Sequence, residues 1–266
     1  MIDSPQPWQS LLRTPQPCDH VIQLYTDDDF FARAVAEFLE TGFAGGAGAV
    51  VVATAPHATA IATRLFAAGF DVAAARERGQ LVVADAHGTL AQFMVDGMPD
   101  RARFFAAITP VLERVRAAGY REIRAFGEMV DLLWDHNLPA TIALETLWNE
   151  VLADGRVSLL CAYRIDNFDR DVHRGALHQL THTHSHVIPV EDYDRLEAAV
   201  SRAYEDVFGT LGGPGLLREQ LVAQHPSPAA MPAAQAALVA LRGLSPDIAD
   251  VVLARARQHY DAAARA

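Results

Sequence analysis

Residues 42–54 read GFAGGAGAVVVAT, and this stretch decides the fold. The glycines at 45, 46 and 48 end a preceding segment, Phe30–Leu39, whose apolar residues recur with the period of a helix. The run Ala49–Thr54 that follows is apolar throughout, which is typical of a strand buried on both faces. A helix, a glycine turn and a doubly buried strand therefore predict a sheet that carries helices on both sides.

The same alternation extends in both directions along the chain. Further strand-like runs are separated by segments with helical periodicity; these runs are His20–Tyr25, Gln80–Ala86, Arg121–Phe126 and Val157–Tyr163. The predicted fold class is α/β, with a mostly parallel sheet of five strands covered by helices on both faces. Residues 1–17 contain four prolines and are predicted to be an irregular arm. Residues 191–266 are predicted to be a helical C-terminal extension.

The composition excludes several kinds of enzyme. Every one of the 22 basic residues is arginine, so the chain has neither the lysine of a phosphate-binding P-loop nor a Schiff-base lysine. The net charge is −11, and no large basic patch is visible for binding nucleic acid.

Neither a signal peptide nor a membrane span is apparent, so a cytoplasmic location is expected. The chain has only two cysteines, Cys18 and Cys161, which argues against a disulfide framework and against a cysteine-based zinc or iron–sulfur site. Cys161 is expected to be a small buried apolar residue.

The order of elements resembles that of RecA-type ATPases of the KaiC kind. In those proteins, the loop after the first strand holds the phosphates. Here that loop, residues 25–31, reads YTDDDFF and has no glycine, no lysine and three acids. These acids would repel a triphosphate. A RecA-like fold without ATP hydrolysis, a pseudo-ATPase, is therefore expected, and the protein is not expected to be an enzyme.

A second resemblance to a known family rests on short motifs that occur in a fixed order along the chain. They are His20…Tyr25, Gly42-Phe43…Gly48, Gly69-Phe70-Asp71, Gly127-Glu128-Met129, Leu144-Glu145…Trp148-Asn149, Leu160-Cys161-Ala162-Tyr163 and His184-Ser185-His186. Over residues 18–190 the chain resembles the MEDS family, the DcmR-type sensory domains of methanogen and methylotroph regulators. The resemblance implies a degenerate RecA-like module that binds a small molecule. In that family the module is often joined to a histidine kinase or a DNA-binding domain, whereas neither is evident in this sequence.

A ligand site is predicted at the carboxyl ends of the strands, where open parallel sheets bind their ligands. Glu128 follows a buried strand and is the leading candidate, with Met129 and Trp134 close to it in the sequence. Tyr25 and Tyr163 end two further strands. The alternatives are that Glu128 caps a helix or pairs with Arg124, and that the aromatic residues and Met129 are ordinary core.

A histidine-rich tract is a second, weaker candidate site. His178, His182, His184 and His186 lie within nine residues and could ligate a metal or a haem. The alternative is a solvated turn, and no cofactor is expected.

Three functions remain open at this stage. The favoured one is a non-catalytic cytoplasmic sensory or regulatory protein. It would bind a small molecule and signal through a partner, such as a histidine kinase or a transcription regulator, or through a homodimer formed by the C-terminal helices. The second is a protein–protein interaction regulator without a small ligand. The third is a metal-binding protein or enzyme that uses the histidine tract. Direct binding of nucleic acid or of a membrane is not expected.

Overall fold

A six-stranded sheet forms the centre of the computed structural model, which describes residues 7–209, 213–224 and 226–264. The strands are β1 (His20–Tyr25), β2 (Gly48–Ala53), β3 (Leu81–Asp85), β4 (Met94–Val95), β5 (Met98–Pro99), β6 (Ile123–Gly127), β7 (Val157–Arg164) and β8 (His186–Ile188). The order in the main sheet is β3-β2-β6-β7-β1-β8, while β4 and β5 form a small antiparallel pair. The pairs β2–β3, β2–β6 and β6–β7 are all parallel, which confirms the predicted α/β class.

The described residues form thirteen helices. They are α1 (Pro7–Arg13), α2 (Asp28–Ala44), α3 (Ala55–Ala67), α4 (Val72–Glu77), α5 (Ala86–Phe93), α6 (Arg101–Ala117), α7 (Leu138–Leu152), α8 (Arg170–Arg174), α9 (Ala176–Thr183), α10 (Tyr193–Phe208), α11 (Pro214–Gln224), α12 (Ala233–Leu244) and α13 (Pro246–Ala263). No helix in the described ranges is both long enough and apolar enough to cross a lipid bilayer.

The chain divides into two compact units. The first comprises residues 7–23 and 27–164, and the second comprises residues 24–26 and the described residues from 165 onward. In the first unit every residue of β2 is buried, as the doubly covered strand requires. In the second unit α10 and α13 pack against each other, and the Tyr204 hydroxyl donates to the carbonyl of Ala237 in α12 at 3.1 Å.

Aspartates at the ends of strands start the helices that follow. Asp27, directly after the loop that follows β1, accepts a hydrogen bond from the backbone N–H of Phe30 at 2.7 Å and caps α2. Asp85 ends β3 and caps α5 in the same way. A side-chain oxygen at this position satisfies an N–H that has no partner within the helix. Asp27, in the acidic loop after β1, therefore has a structural role as the N-cap of α2.

Several elements differ from the sequence prediction. The predicted irregular arm contains the helix α1, and its first six residues lie outside the described part of the chain. Residues 94–95 and 98–99 form the short strands β4 and β5, which are not among the five predicted strands. The strand β8 lies in the polar His-rich segment for which no strand was predicted. Residues 210–212, 225 and 265–266, within the predicted helical C-terminal extension, are also outside the described residues.

Candidate functional site

Glu128 stands at the carboxyl edge of the sheet, immediately after β6. Its backbone N–H donates to the carbonyl of Val52 in β2 at 3.1 Å, which fixes the start of the loop beside the neighbouring strand. The residue is only 2% exposed. One carboxylate oxygen, Oε1, accepts the backbone N–H of Thr54, and the other, Oε2, lies 2.5 Å from Nδ1 of His57. Glu128 therefore ties the end of β6 to the beginning of α3.

His57 is held between a buried acid and an exposed one. Its Nδ1 faces Glu128, while its Nε2 lies 3.9 Å from a carboxylate oxygen of Asp28. The hydrogen bond to Glu128 raises the pKa of His57 above its usual value, against the opposing effect of burial. The charges of Glu128 and Asp28 act in the same direction as that hydrogen bond, whereas Arg164 opposes it. These contacts favour the protonated form of the imidazole.

Five residues make up what we call the edge cluster: Asp28, Thr54, His57, Glu128 and Arg164. Arg164 ends β7 and binds Asp28, so the two charges at the open side of the cluster are paired. The ring of Phe31 lies 4.3 Å from the imidazole of His57, centre to centre. The cluster therefore combines an imidazole and two carboxylates at the edge of the sheet, and His57 packs on the buried ring of Phe31.

Arg124 does not pair with Glu128, so that alternative was wrong. Its guanidinium instead donates hydrogen bonds to four oxygen atoms on two helices. On α1 they are the carbonyls of Leu12 and Arg13, and on α2 they are the carbonyl of Phe38 and the hydroxyl of Thr41. Burial lowers the pKa of Arg124 to about 10. This arginine therefore joins α1 to α2 and has a structural role.

The other predicted ligand residues lie in varied surroundings. Met129 is buried. Trp134 is half-buried, and its indole N–H donates to Asp131 at 3.0 Å. Tyr163 is fully buried and donates its hydroxyl to Glu145. Tyr25 is buried and belongs to the second unit. The ligand-binding role of the set stays a prediction, with Glu128 the member whose surroundings support it most directly.

A second polar cluster lies inside the first unit, between β1, β7 and α7. His20 Nδ1 lies 2.9 Å from the amide oxygen of Asn149, and His20 Nε2 lies 3.3 Å from the sulfur of Cys161. The same Nε2 is 3.2 Å from Oε2 of Glu145, and the thiol of Cys161 is 3.6 Å from that oxygen. Cys161 is buried as expected, and burial raises the pKa of its thiol. We refer to His20, Glu145 and Cys161 as the buried triad.

The histidine tract is split between a helix and a strand. His178 and His182 lie one turn apart on the exposed side of α9, with ring centres 4.8 Å apart. His184 ends that helix, and its Nδ1 lies 2.8 Å from the carbonyl of Leu180. His186 begins β8, and its Nδ1 lies 2.9 Å from the hydroxyl of Ser185. Metal binding by the tract stays a prediction.

Sequence reasoning missed an apolar cavity and the partner of Glu128. The cavity has a volume of about 460 Å³ and lies between α3, α4 and the strands β2 and β3. It is lined mainly by apolar side chains, among them Val51, Ile61, Leu65, Val72, Leu81 and Val83. His57 was missed because no local pattern links it to an acid that lies 71 residues further along the chain.

Comparison with curated proteins and with solved structures found no match to the chain. A family model does match, over residues 19–185, which is more than half of the sequence. It is described as MEDS, the methanogen/methylotroph, DcmR sensory domain. The edge cluster and the buried triad both lie within the matched residues.

Proposed function

The chain belongs to the MEDS family of sensory domains, and from that premise we propose that it is a non-catalytic regulatory protein that binds a small molecule at the carboxyl edge of its sheet. Ligand binding would be relayed to a separate signalling partner, such as a histidine kinase or a transcription regulator, or to a second copy of the chain. The observation that carries the proposal is the contact between Glu128 and His57 at the start of α3.

The polar half of the proposed site is the edge cluster. A buried carboxylate with two hydrogen bonds is fixed in place, so it can select a ligand by hydrogen bonding without being reorganised. The half-buried Trp134, six residues after Glu128 in the sequence, would supply apolar surface to the ligand. Such a site suits a small molecule that has one polar group on an apolar body.

Helix α3 provides a physical route from the ligand to the rest of the domain. Its first turn is held by Glu128 through Thr54 and His57. Its body covers the apolar cavity, of which Ala58 is one lining residue. A ligand that competes for the carboxylate of Glu128 would loosen the first turn, and an underpacked helix resists displacement less than a fully packed one. A ligand can shift the equilibrium between two arrangements of α3 only if it binds one of them more tightly than the other.

The first experiment is native mass spectrometry of the purified full chain, compared with the mass after denaturation. A retained small molecule would identify the ligand and its chemical class directly. If none is retained, a thermal-shift panel of short-chain alcohols, ketones and carboxylic acids provides the probes.

Glu128→Gln is the informative variant, because it keeps the shape of the side chain and removes its charge. We expect at least a roughly tenfold loss of affinity, since a hydrogen bond to a charged group contributes about 1.5–3 kcal/mol. Glu150→Gln is the matched control: Glu150 is an exposed glutamate on α7 that pairs with Arg101. Equal affinity in both variants and the wild type would remove the edge cluster from the binding site.

A second function, a partner-binding regulator without a small ligand, is favoured by one observation. Phe66, on α3, is 77% exposed and also lines the apolar cavity, so it extends that apolar surface to solvent, and exposed apolar surface of this kind can bind a partner. If the purified protein binds none of the probes, Phe66→Ser should abolish capture of the physiological partner by the tagged chain. Capture that survives this substitution would exclude α3 as the partner surface.

A further inference from the structure

We propose that the buried triad, His20, Glu145 and Cys161, is a binding site for a divalent zinc ion. The three side chains come from β1, α7 and β7 and meet inside the first unit. This site is distinct from the edge cluster and does not depend on the function proposed above.

The distances between the donor atoms fit a tetrahedral metal site. Zinc binds sulfur at about 2.3 Å and nitrogen or oxygen at about 2.0–2.2 Å, so neighbouring tetrahedral ligands lie about 3.3–3.6 Å apart. The triad shows 3.3 Å from His20 Nε2 to Cys161 Sγ and 3.2 Å from that nitrogen to Glu145 Oε2. The remaining edge, from Sγ to Oε2, measures 3.6 Å. Three donors thus already occupy the corners of one face of a zinc tetrahedron.

The surrounding hydrogen bonds orient the donors as metal sites require. The amide oxygen of Asn149 can only accept, so the Nδ1 of His20 carries the proton and its Nε2 lone pair points at the triad. Tyr163 donates its hydroxyl to the second oxygen of Glu145, which leaves Oε2 for the metal. Outer hydrogen bonds of this kind fix the tautomer and the direction of metal ligands.

Charge balance favours the triad with a bound zinc ion over the triad without a metal. Glu145 is completely buried, and a divalent cation bound to its carboxylate would offset the cost of burying that charge. Zinc bound to the thiolate of Cys161, the carboxylate of Glu145 and a neutral His20 gives a group with no net charge. Binding displaces the thiol proton, as it does in other thiolate sites. The sulfur donor selects zinc over magnesium, calcium or manganese, which prefer oxygen ligands.

The proposed site differs from the cysteine-based sites that the sequence argues against. The number of cysteines rules out sites with several thiolates. A mixed site needs only one cysteine, and its histidine and glutamate lie 141 and 16 residues away along the chain.

Cobalt substitution of the full chain tests the proposal. We expect the purified protein to contain one zinc per chain and the metal-free protein to take up Co²⁺. Bound cobalt should show a thiolate-to-metal charge-transfer band and the strong visible absorption of tetrahedral coordination. Zinc should also raise the melting temperature of the metal-free protein.

The second cysteine provides the matched control. Cys18 is exposed, so Cys18→Ser should leave both the zinc content and the cobalt spectrum unchanged. Because Cys161 is then the only cysteine, a charge-transfer band in this variant must arise from its thiolate, even if Cys161→Ser fails to fold. Where Cys161→Ser and Glu145→Gln do fold, we expect each to lower the zinc content and Cys161→Ser to abolish the band.

Three results would overturn the proposal. The first is a wild-type protein without zinc whose metal-free form gives no charge-transfer band with Co²⁺, which would make the triad a buried histidine–glutamate pair. The second is a band that disappears in Cys18→Ser. The third is zinc that is retained in Cys161→Ser but lost in the double variant His178→Ala, His182→Ala, which would move the metal to the histidine tract.

Discussion

Among single residues, His57 has the protonation that depends most directly on the proposed site, because its hydrogen bond to Glu128 raises its pKa. We predict that the pKa of His57 lies above its ordinary value near 6.5 in the wild type and falls below that value in Glu128→Gln. The substitution removes the largest cause of the increase, and burial, which lowers the pKa, then prevails. Because folding raises this pKa, the pair stabilises the protein below pH 6.5, and that stabilisation is lost as the pH rises through the folded value.

An NMR titration of the histidine rings measures this shift, with His57→Gln used to assign the signal. His173 is an internal reference, because burial lowers its pKa to about 4 and it stays neutral over the same range. If the His57 signal titrates at the same pH with and without the carboxylate of Glu128, the contact between the two side chains does not set the pKa of His57.

Sequence reasoning found one residue of each polar cluster and missed its partners. Glu128 could be predicted because the end of a buried strand is a position defined by the local pattern. Its partner His57, on α3, has no local signal of its own. Cys161 was correctly expected to be buried, yet its neighbours His20 and Glu145 become visible only when β1, β7 and α7 are placed together. Local sequence patterns indicate which residues are buried, whereas contacts between residues far apart in the chain can be identified only when the fold is known.

At the scale of elements, the packing of β2 against α6 depends on a glycine. A methyl group at position 48 would lie 2.1 Å from Cγ1 of Val115 in α6 and 2.9 Å from Cβ of Tyr120. We predict that Gly48→Ala lowers the free energy of unfolding by about 1–3 kcal/mol, the usual cost of overfilling a core. Urea denaturation measures the change. Gly127→Ala, at the end of β6, has open space for the methyl group and should cause no such loss.

The elements that the sequence predicted are those with a continuous apolar pattern. The five strands of the main sheet between residues 20 and 165 were all found, because each is a mainly apolar run that ends at a turn or a cap. The two-residue strands β4 and β5 were missed because they are too short to form such a run. Strand β8 was missed because only two of its three residues are apolar and histidines surround it. Helix α1 was missed because prolines on both sides suggested irregular structure, although Pro7 stands at the first position of the helix, where proline is tolerated.

At the scale of the whole molecule, the remaining prediction concerns self-association through the C-terminal helices. Three apolar side chains near the junction of α12 and α13 are strongly exposed: Leu244 at 50%, Ile248 at 40% and Val251 at 51%. Ile248 and Val251 lie three residues apart on α13 and therefore share one face. Apolar surface grouped in this way gains free energy when a second subunit covers it.

We predict that the full chain is a homodimer and that the double variant Ile248→Asp, Val251→Asp is a monomer, because two charges cannot be buried unpaired at a subunit interface. Sedimentation equilibrium over a range of protein concentrations measures the dissociation constant. Phe66→Asp is the matched control, since it places a charge on an equally exposed apolar residue of α3. If Phe66→Asp dissociates the dimer and the α13 variant does not, subunits associate through α3, and the element proposed to respond to the ligand is also the one that joins the subunits. A wild type that stays monomeric at every concentration would leave a separate partner protein as the route for the signal.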